Sequence, residues 1–322
     1  MSISADQRYY LKQKALYYFY EKGYSNTDIA KMLGISRVTL NRLLTEAREE
    51  GMVRIEIVDT KNLKYVLELE DRLKTKYGLK YVRLVDVSSE DPDALVTRLA
   101  AEGAKHFERF LRSGMKIGLG WGKTLTTMIG LLSPNPAISG LEVYTLMGGA
   151  CSEANFQPNL LAQSLLNLYS GSAYIINAPF LCHSDLLCTE IKKEPSINRI
   201  LGMTRSLDIA LVGIGREPGW DYLKQSYYHF SDSDTKEIMT AGAVGDICGN
   251  FFDKDGNLLK TSVTGRIVSV DVNELKSCKD VIAVAGGEHK VASILGAMRG
   301  GFIDALITDI ATANKLLSEA AS

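Results

Sequence analysis

The chain has 322 residues, enough for two domains, and its 46% hydrophobic and 23% charged residues exclude a disordered or fibrous protein. Its 37 Lys and Arg against 38 Asp and Glu leave a net charge of −1, which excludes a protein that coats nucleic acid by charge alone. No apolar run reaches the ~18 residues a membrane span needs, and Met1 to Lys14 is too polar for a secretion signal, so a cytoplasmic chain with no membrane partner is expected.

Asp6 to Lys22 reads as a helix, with Leu11, Ala15, Tyr18 and Phe19 on one stripe and Gly23 as its stop. Ser25 caps a second helix, with Asp28 as an acidic capping-box partner, and this helix runs to Leu33 before a tight turn at Gly34-Ile35. Ser36 caps a third helix that continues to about Glu50. The order Ile29-Ala30, Leu33-Gly34-Ile35, Leu40, Leu43 is what a helix-turn-helix requires. Ala30 is small where helices cross, Gly34 takes a positive φ, and the two leucines face inward. That leaves Ser36, Arg37, Thr39, Asn41 and Arg42, with Val38 beside them, as the candidate DNA-contacting set, in which Arg suits guanine and Asn adenine. The alternation over Met52 to Val58 predicts a small β wing, closing a DNA-binding domain at residues 1–60. Nine Lys and Arg against seven Asp and Glu up to Ile57 give this segment only a weak positive balance, so pattern carries the reading.

Asn62 to Tyr77 predicts a connecting helix (61–78) at the head of a second domain, 61–322. Strands are expected at Tyr81–Val87, Met115–Leu119, Leu141–Leu146, Ala173–Ile176, Ile209–Val212, Val281–Ala285 and Ala305–Thr308. Helical stretches between them predict an α/β domain, a mainly parallel sheet covered by helices on both faces. Asp253 to Asn257 predicts a hairpin-type turn inside a short antiparallel insertion from Cys248 to Val270; it lacks the final acidic ligand of a calcium loop.

Four strands end in glycine: Gly118-Leu119-Gly120-Trp121-Gly122-Lys123-Thr124, Gly148-Gly149, Gly213-Ile214-Gly215 and Gly286-Gly287. Parallel strands share one C-terminal edge, where ligands bind. The first turn opens a helix rich in threonine, so free N–H groups, the helix dipole, Lys123 and the threonine hydroxyls suit a phosphate. Gly120, Gly122, Lys123, Thr124 and Gly149 form the candidate phosphate site. A nucleotide P-loop is excluded because Ile117 stands where its first glycine belongs, and a dinucleotide fingerprint because its third glycine is missing. Gln157, Asp246, Glu288, Lys290 and Asp309 supply groups for sugar hydroxyls, although each could instead be an ordinary salt bridge or cap. His183 beside Asp185 implies no nucleophile, and Ser184 reads as a helix cap. Neither the four histidines nor the five cysteines, all beyond residue 150 and without a C-x-x-C pair, predict a metal site, a cofactor or a disulfide framework.

These motifs, in this order, resemble the SorC family of sugar-responsive bacterial transcription regulators. The likeness rests on Ser25–Leu44, Gly120–Thr124, Gly148-Gly149, Gly213–Gly215, Ala243–Ile247 with Phe251–Asp253 and Gly256, Ala285–Gly287 with Lys290, and Thr308-Asp309 with Ala311–Ala313. The resemblance implies an effector domain like the sugar-phosphate isomerases and deaminases, turned from catalysis to sensing. It implies that the turn at Gly120–Thr124 holds the effector phosphate, that Gln157, Asp246, Lys290 and Asp309 line the sugar, and that the protein assembles as a tetramer of paired dimers. Some relatives carry a basic residue where this chain has Met147, so a monophosphorylated, non-covalent effector is expected. The rival reading is an active sugar-phosphate isomerase or deaminase with Asp246 and Lys290 as its acid and base.

Overall fold

The computed structural model describes residues 5–53, 62–87, 91–149, 157–216 and 230–319. The chain divides into two compact units, residues 1–62 and 63–322.

The first unit holds α1 (Ala5–Leu16), a π-helical turn over Tyr17–Glu21, α2 (Asn26–Leu33) and α3 (Arg37–Glu49). Both caps form: Ser25 accepts the N–H of Asp28 at 3.2 Å, and Ser36 that of Thr39 at 3.0 Å. Gly34, at φ 66°, ends α2 in the left-handed region. Asp28 departs from the expected capping box, since its carboxylate accepts the Ser25 hydroxyl at 2.6 Å. Ala15, Ile29, Ala30, Leu40 and Leu44 form the core. The nearly buried Lys12 bonds Glu50 at 2.5 Å and sits 3.3 Å from Glu46, which also pairs with Arg8, so charges bind α1 to α3. The β wing expected over Met52–Val58 falls, from Arg54 onward, outside the described residues.

In the second unit, β1 (Tyr81–Val85), β2 (Lys116–Leu119), β3 (Leu141–Thr145), β4 (Gly171–Tyr174), β5 (Ile209–Val212), β8 (Asp280–Val284) and β9 (Ala305–Asp309) form one seven-stranded sheet, ordered β1-β9-β8-β5-β2-β3-β4. Every pairing in it is parallel. Alternation is the cause of its two apolar faces: Ile209 and Leu211 point one way, Ala210 and Val212 the other. Phe107 of α5 (Pro92–Phe110), Met128 of α6 (Lys123–Gly130) and Leu165 of α7 (Pro158–Leu168) cover the first face. Leu73 of α4 (Leu63–Tyr77), Ile294 and Leu316 cover the second. Each such buried side chain contributes roughly 1.5–3 kcal/mol.

From β2 the chain moves outward to β3 and β4, then returns to place β5 on the other side of β2. The order therefore reverses between β2 and β5, and a crevice opens beyond their carboxyl ends. A separate antiparallel pair, β6 (Gly245–Ile247) and β7 (Asn250–Phe252), lies nearby in sequence. The turn at Asp253–Asn257 forms, closed by the Gly256 N–H on the Asp253 carbonyl at 3.0 Å. It leads from β7 into an antiparallel bridge between Phe252 and Leu258, and a second, tighter hairpin turn at Cys248-Gly249, with φ of 51° and 77°, extends the insertion back to Gly245.

Candidate functional site

On α3, Leu40, Leu43, Leu44 and Ala47 are buried, which turns Arg37, Val38, Asn41 and Arg42 outward. Val38 is 80% exposed, unusual for a branched apolar side chain. Ser36 and Thr39 serve the helix start: their hydroxyls bond each other at 2.8 Å while Ser36 caps the Thr39 N–H. Arg42 lies 3.8 Å from Glu46 and stays largely exposed. Asn41 accepts a bond from the Asn26 amide at 2.9 Å.

In the second unit, three of the glycine turns and the hairpin converge at the crevice. The Gly120 N–H donates to the Leu211 carbonyl at 2.9 Å, and a Cβ on Gly120 would lie 3.3 Å from the Cys248 sulfur. A Cβ on Gly213 would lie 3.3 Å from the Trp121 carbonyl. The Gly215 N–H donates to the Asp246 carbonyl at 2.9 Å, and Lys290 Nζ donates to the Ile214 carbonyl at 2.8 Å. Asp246 is buried, with Oδ2 accepting the Gly249 N–H at 2.9 Å. Burial pushes its carboxyl up to about 6, opposed by the Gly249 N–H and the Lys290 charge. Burial pushes Lys290 down to about 8, against the pull of Asp246 and with the help of Arg216.

Gly122 precedes α6 at φ 126°, a backbone that glycine adopts freely. Thr126 N–H is the first to close within the helix, on the Gly122 carbonyl at 2.9 Å, which leaves the N–H groups of Lys123, Thr124 and Leu125 facing outward. A Cβ at Gly122 would meet nothing within 4 Å, so the residue that leads into those donors is uncrowded. The side chains contribute less than their sequence suggests. Lys123 pairs with Asp93 at 2.5 Å, and the hydroxyls of Thr126 and Thr127 bond the Gly122 and Lys123 carbonyls.

The remaining expected residues separate. Gly149 donates its N–H to the Ala178 carbonyl at 2.9 Å, and a Cβ on it would lie 3.4 Å from Gln157 Oε1. The two sit beyond the end of β3, beside a cavity of about 100 Å³ lined by Thr145, Met147, Asn159 and Asn177. Glu288 is exposed and pairs with Lys315 at 2.7 Å. Asp309 is buried with both oxygens engaged: Oδ2 accepts the Gly287 N–H (2.9 Å) and the Thr312 hydroxyl (2.6 Å), and Oδ1 accepts the Thr312 N–H (2.8 Å). It shapes the last glycine turn from below. Ser184 caps its helix, accepting the Leu187 N–H at 3.2 Å. Among the described residues, Cys182, Cys188, Cys248 and Cys278 are free and buried, and no three His, Cys, Asp or Glu gather as a metal site.

Residues 61–318 match the family described as “Putative sugar-binding domain”, and residues 14–66 match the “Crp-like helix-turn-helix domain”. The sorbitol operon regulator of Klebsiella pneumoniae is 30% identical over 98% of this chain and 100% of its own length. The chain belongs to the SorC family. As a SorC-family protein it is a DNA-binding transcriptional regulator that joins a helix-turn-helix to a sugar-binding domain. The deoxyribonucleoside regulator of Bacillus subtilis is 30% identical over 94% of this chain and 95% of that relative. The full-length Klebsiella structure superposes with a TM-score of 0.72 at 29% identity, covering 98% of this chain and 100% of that one. The structure of a transcriptional regulator from Streptococcus pneumoniae gives 0.74 at 28% identity, covering 80% of this chain and 99% of that one.

Sequence reasoning missed two residues. Arg216 follows Gly215 directly and acts electrostatically on both Lys290 and His289; a cation right after a strand-end glycine turn is the signal that could have found it. Asn26 touches Asn41 from the neighbouring helix, and nothing local in the sequence marks it.

Proposed function

We propose that this regulator controls a carbohydrate-catabolic operon and changes its operator affinity when a phosphorylated sugar or polyol occupies the crevice between β2 and β5. The observation that carries the reading is the start of α6. Its first three N–H groups and helix dipole follow the uncrowded Gly122, two residues beyond Gly120, where a Cβ would lie 3.3 Å from Cys248 in the hairpin that carries Asp246. The phosphate sits on the main chain of Gly122–Leu125 with the Thr124 hydroxyl as a further donor. Asp246 accepts from sugar hydroxyls, and Lys290 donates to them. Gln157 and Gly149 bound the far end of the ligand, where the uncharged cavity beside Met147 favours hydroxyls over a second phosphate.

Residues 1–60 read paired half-sites on double-stranded DNA through Arg37, Val38, Asn41 and Arg42, and so the protein works as a homo-oligomer, a dimer or tetramer, in the cytoplasm. The exposed Tyr9, Tyr10, Tyr17 and Tyr20 of its first helical segment supply apolar surface for that assembly. Calorimetric titration against a panel of sugar phosphates and their unphosphorylated parents tests the reading. A phosphate should bind and its parent should not, because charge-assisted hydrogen bonds contribute roughly 1.5–3 kcal/mol each. Equal binding of both removes the phosphate site.

The pKa displacements of Asp246 and Lys290 toward neutrality favour a second reading, catalysis on the same sugar phosphate. We infer that the protein is a sensor, because Glu288 is turned to Lys315 and Asp309 is engaged internally, so that neither adds an acid or base to Asp246 and Lys290 among the described residues. Turnover of any bound sugar phosphate in a coupled isomerase or deaminase assay decides against the sensor.

A further inference from the structure

We propose that Asn26 is a positioning residue that decides which base edge Asn41 reads, holding Asn41 as a donor toward guanine or thymine and away from adenine. This rests on the reading of α3 as the helix that enters the major groove. Asn26 is the first residue of α2, and its Nδ2 donates to Asn41 Oδ1 at 2.9 Å while Asn41 remains solvent-exposed. The bond turns the Asn41 carbonyl back toward α2 and leaves its NH₂ on the outer edge. A two-bond contact with adenine needs both amide atoms facing the base, one accepting from N6 and one donating to N7. An amide held by its oxygen presents donors to the base; guanine answers with two adjacent acceptors, O6 and N7, and thymine with O4, whereas adenine offers N7 alone beside an N6 amine that is itself a donor.

The direction of the bond follows from burial. Asn26 Oδ1 is buried without a partner among the described residues. With both amides rotated, Asn26 would instead bury an NH₂ there, leaving two donors unsatisfied in place of one acceptor, the costlier arrangement. The expectation that Asn41 pairs with adenine thus changes once its neighbour on α2 is known. Arg37, Val38 and Arg42 have no such tie to α2 and keep their own base contacts.

The test selects binding sites from a random duplex pool with the full-length wild type, Asn41→Ala, Asn26→Ala and Asn26→Asp. Thermal melting first establishes that all four are folded. The wild type should enrich guanine or thymine at one position per half-site, and Asn41→Ala should lose that preference by about five- to ten-fold. Asn26→Ala frees the amide to rotate, so adenine should become acceptable at that position while the others hold. Asn26→Asp removes the donor and supplies an acceptor, which reverses the Asn41 amide. Preference should then move to adenine or cytosine, whose exocyclic amines donate. Adenine at the Asn41-dependent position in the wild type, or one unchanged logo across both Asn26 variants, overturns the proposal while leaving the DNA-reading helix intact. A wild type that enriches no sequence overturns both together.

Discussion

The carboxylate of Asp309 accepts the backbone N–H of Gly287 at 2.9 Å, twenty-two residues away on the neighbouring strand's exit. Asp309 ends β9 and Gly287 lies beyond β8, so one side chain fixes the spacing of two adjacent strand ends. The family resemblance places Asp309 at the sugar, whereas its bonds make it the support of the turn that leads to Lys290. Asp309→Ala should therefore cost about 2–5 kcal/mol of stability, because it leaves buried donors of Gly287 and Thr312 unsatisfied. Urea unfolding reads this directly. A variant that keeps full stability and loses only sugar affinity would make Asp309 a ligand.

Gly122 should behave differently from a packed glycine. Its missing Cβ points into open space, so Gly122→Ala meets no protein atom and is strained only by its φ of 126°. The expected loss of stability is roughly 1–3 kcal/mol. The methyl would stand on the residue next to the Lys123–Leu125 donors, where the proposed phosphate sits, so sugar-phosphate affinity should fall at least ~10-fold by calorimetry. Unchanged affinity in a folded variant would show that the anion sits elsewhere.

Two buried groups give the second unit opposing responses to pH. Asp246 titrates at about 6 when folded against 3.8 in its ordinary range, so its burial costs stability that appears as pH rises from ~4 to ~6 and persists above. His106, packed between the rings of Tyr81 and Phe110, is pushed down to about 4 from 6.5 by burial. The unfolded chain takes up that proton first, so stability is lost as pH falls from ~6.5 to ~4. Each effect is about 3 kcal/mol, and across the shared window they partly cancel. Asp246→Asn should be more stable than wild type at pH 7 and bind sugar phosphate poorly. Its urea midpoint should then fall steadily toward pH 4, the His106 response uncovered. A variant with a flat profile would rule out His106 as the titrating group.

At the DNA surface, Arg42→Ala and Ser36→Ala separate contact from support. Arg42 sits on the outer stripe with only a loose approach to Glu46, so its loss should weaken operator binding by roughly 1–3 kcal/mol and leave melting unchanged. Ser36 caps α3, so its loss should lower stability by about 0.5–2 kcal/mol and affect binding only through the helix. Gel shifts and melting curves on the same preparations distinguish them, and identical losses for both variants would contradict the division.

What the sequence made legible was set locally. The caps at Ser25, Ser36 and Ser184, the left-handed Gly34 and the seven apolar runs that become the main sheet all depend on neighbours a few residues away. The start of α6 belongs with them, since a glycine before a helix is a local signal. Side-chain direction was not legible, because it depends on partners brought in by the fold. Lys123 faces Asp93, Glu288 faces Lys315 and Asn41 faces Asn26. The tighter hairpin turn between β6 and β7 was not legible for a related reason. Cys248 in a left-handed conformation is no turn signal, and it is held there by the Asp246–Gly249 bond and by Gly249 packed close to Phe180.

The donors at the start of α6 belong to the main chain, and this has an evolutionary consequence. Substitution of the side chains at 123, 124 or 125 by anything except proline leaves the N–H groups in place, so drift cannot easily erase the anchor. In the proposed mode of binding, the residues at the far end of the ligand, among them Met147, Asn177 and Gln157, lie beyond other strands and can change without disturbing it. A lineage built on this domain can exchange one sugar for another by altering that distant rim, while the charged end of each successive ligand is held in the same unaltered way.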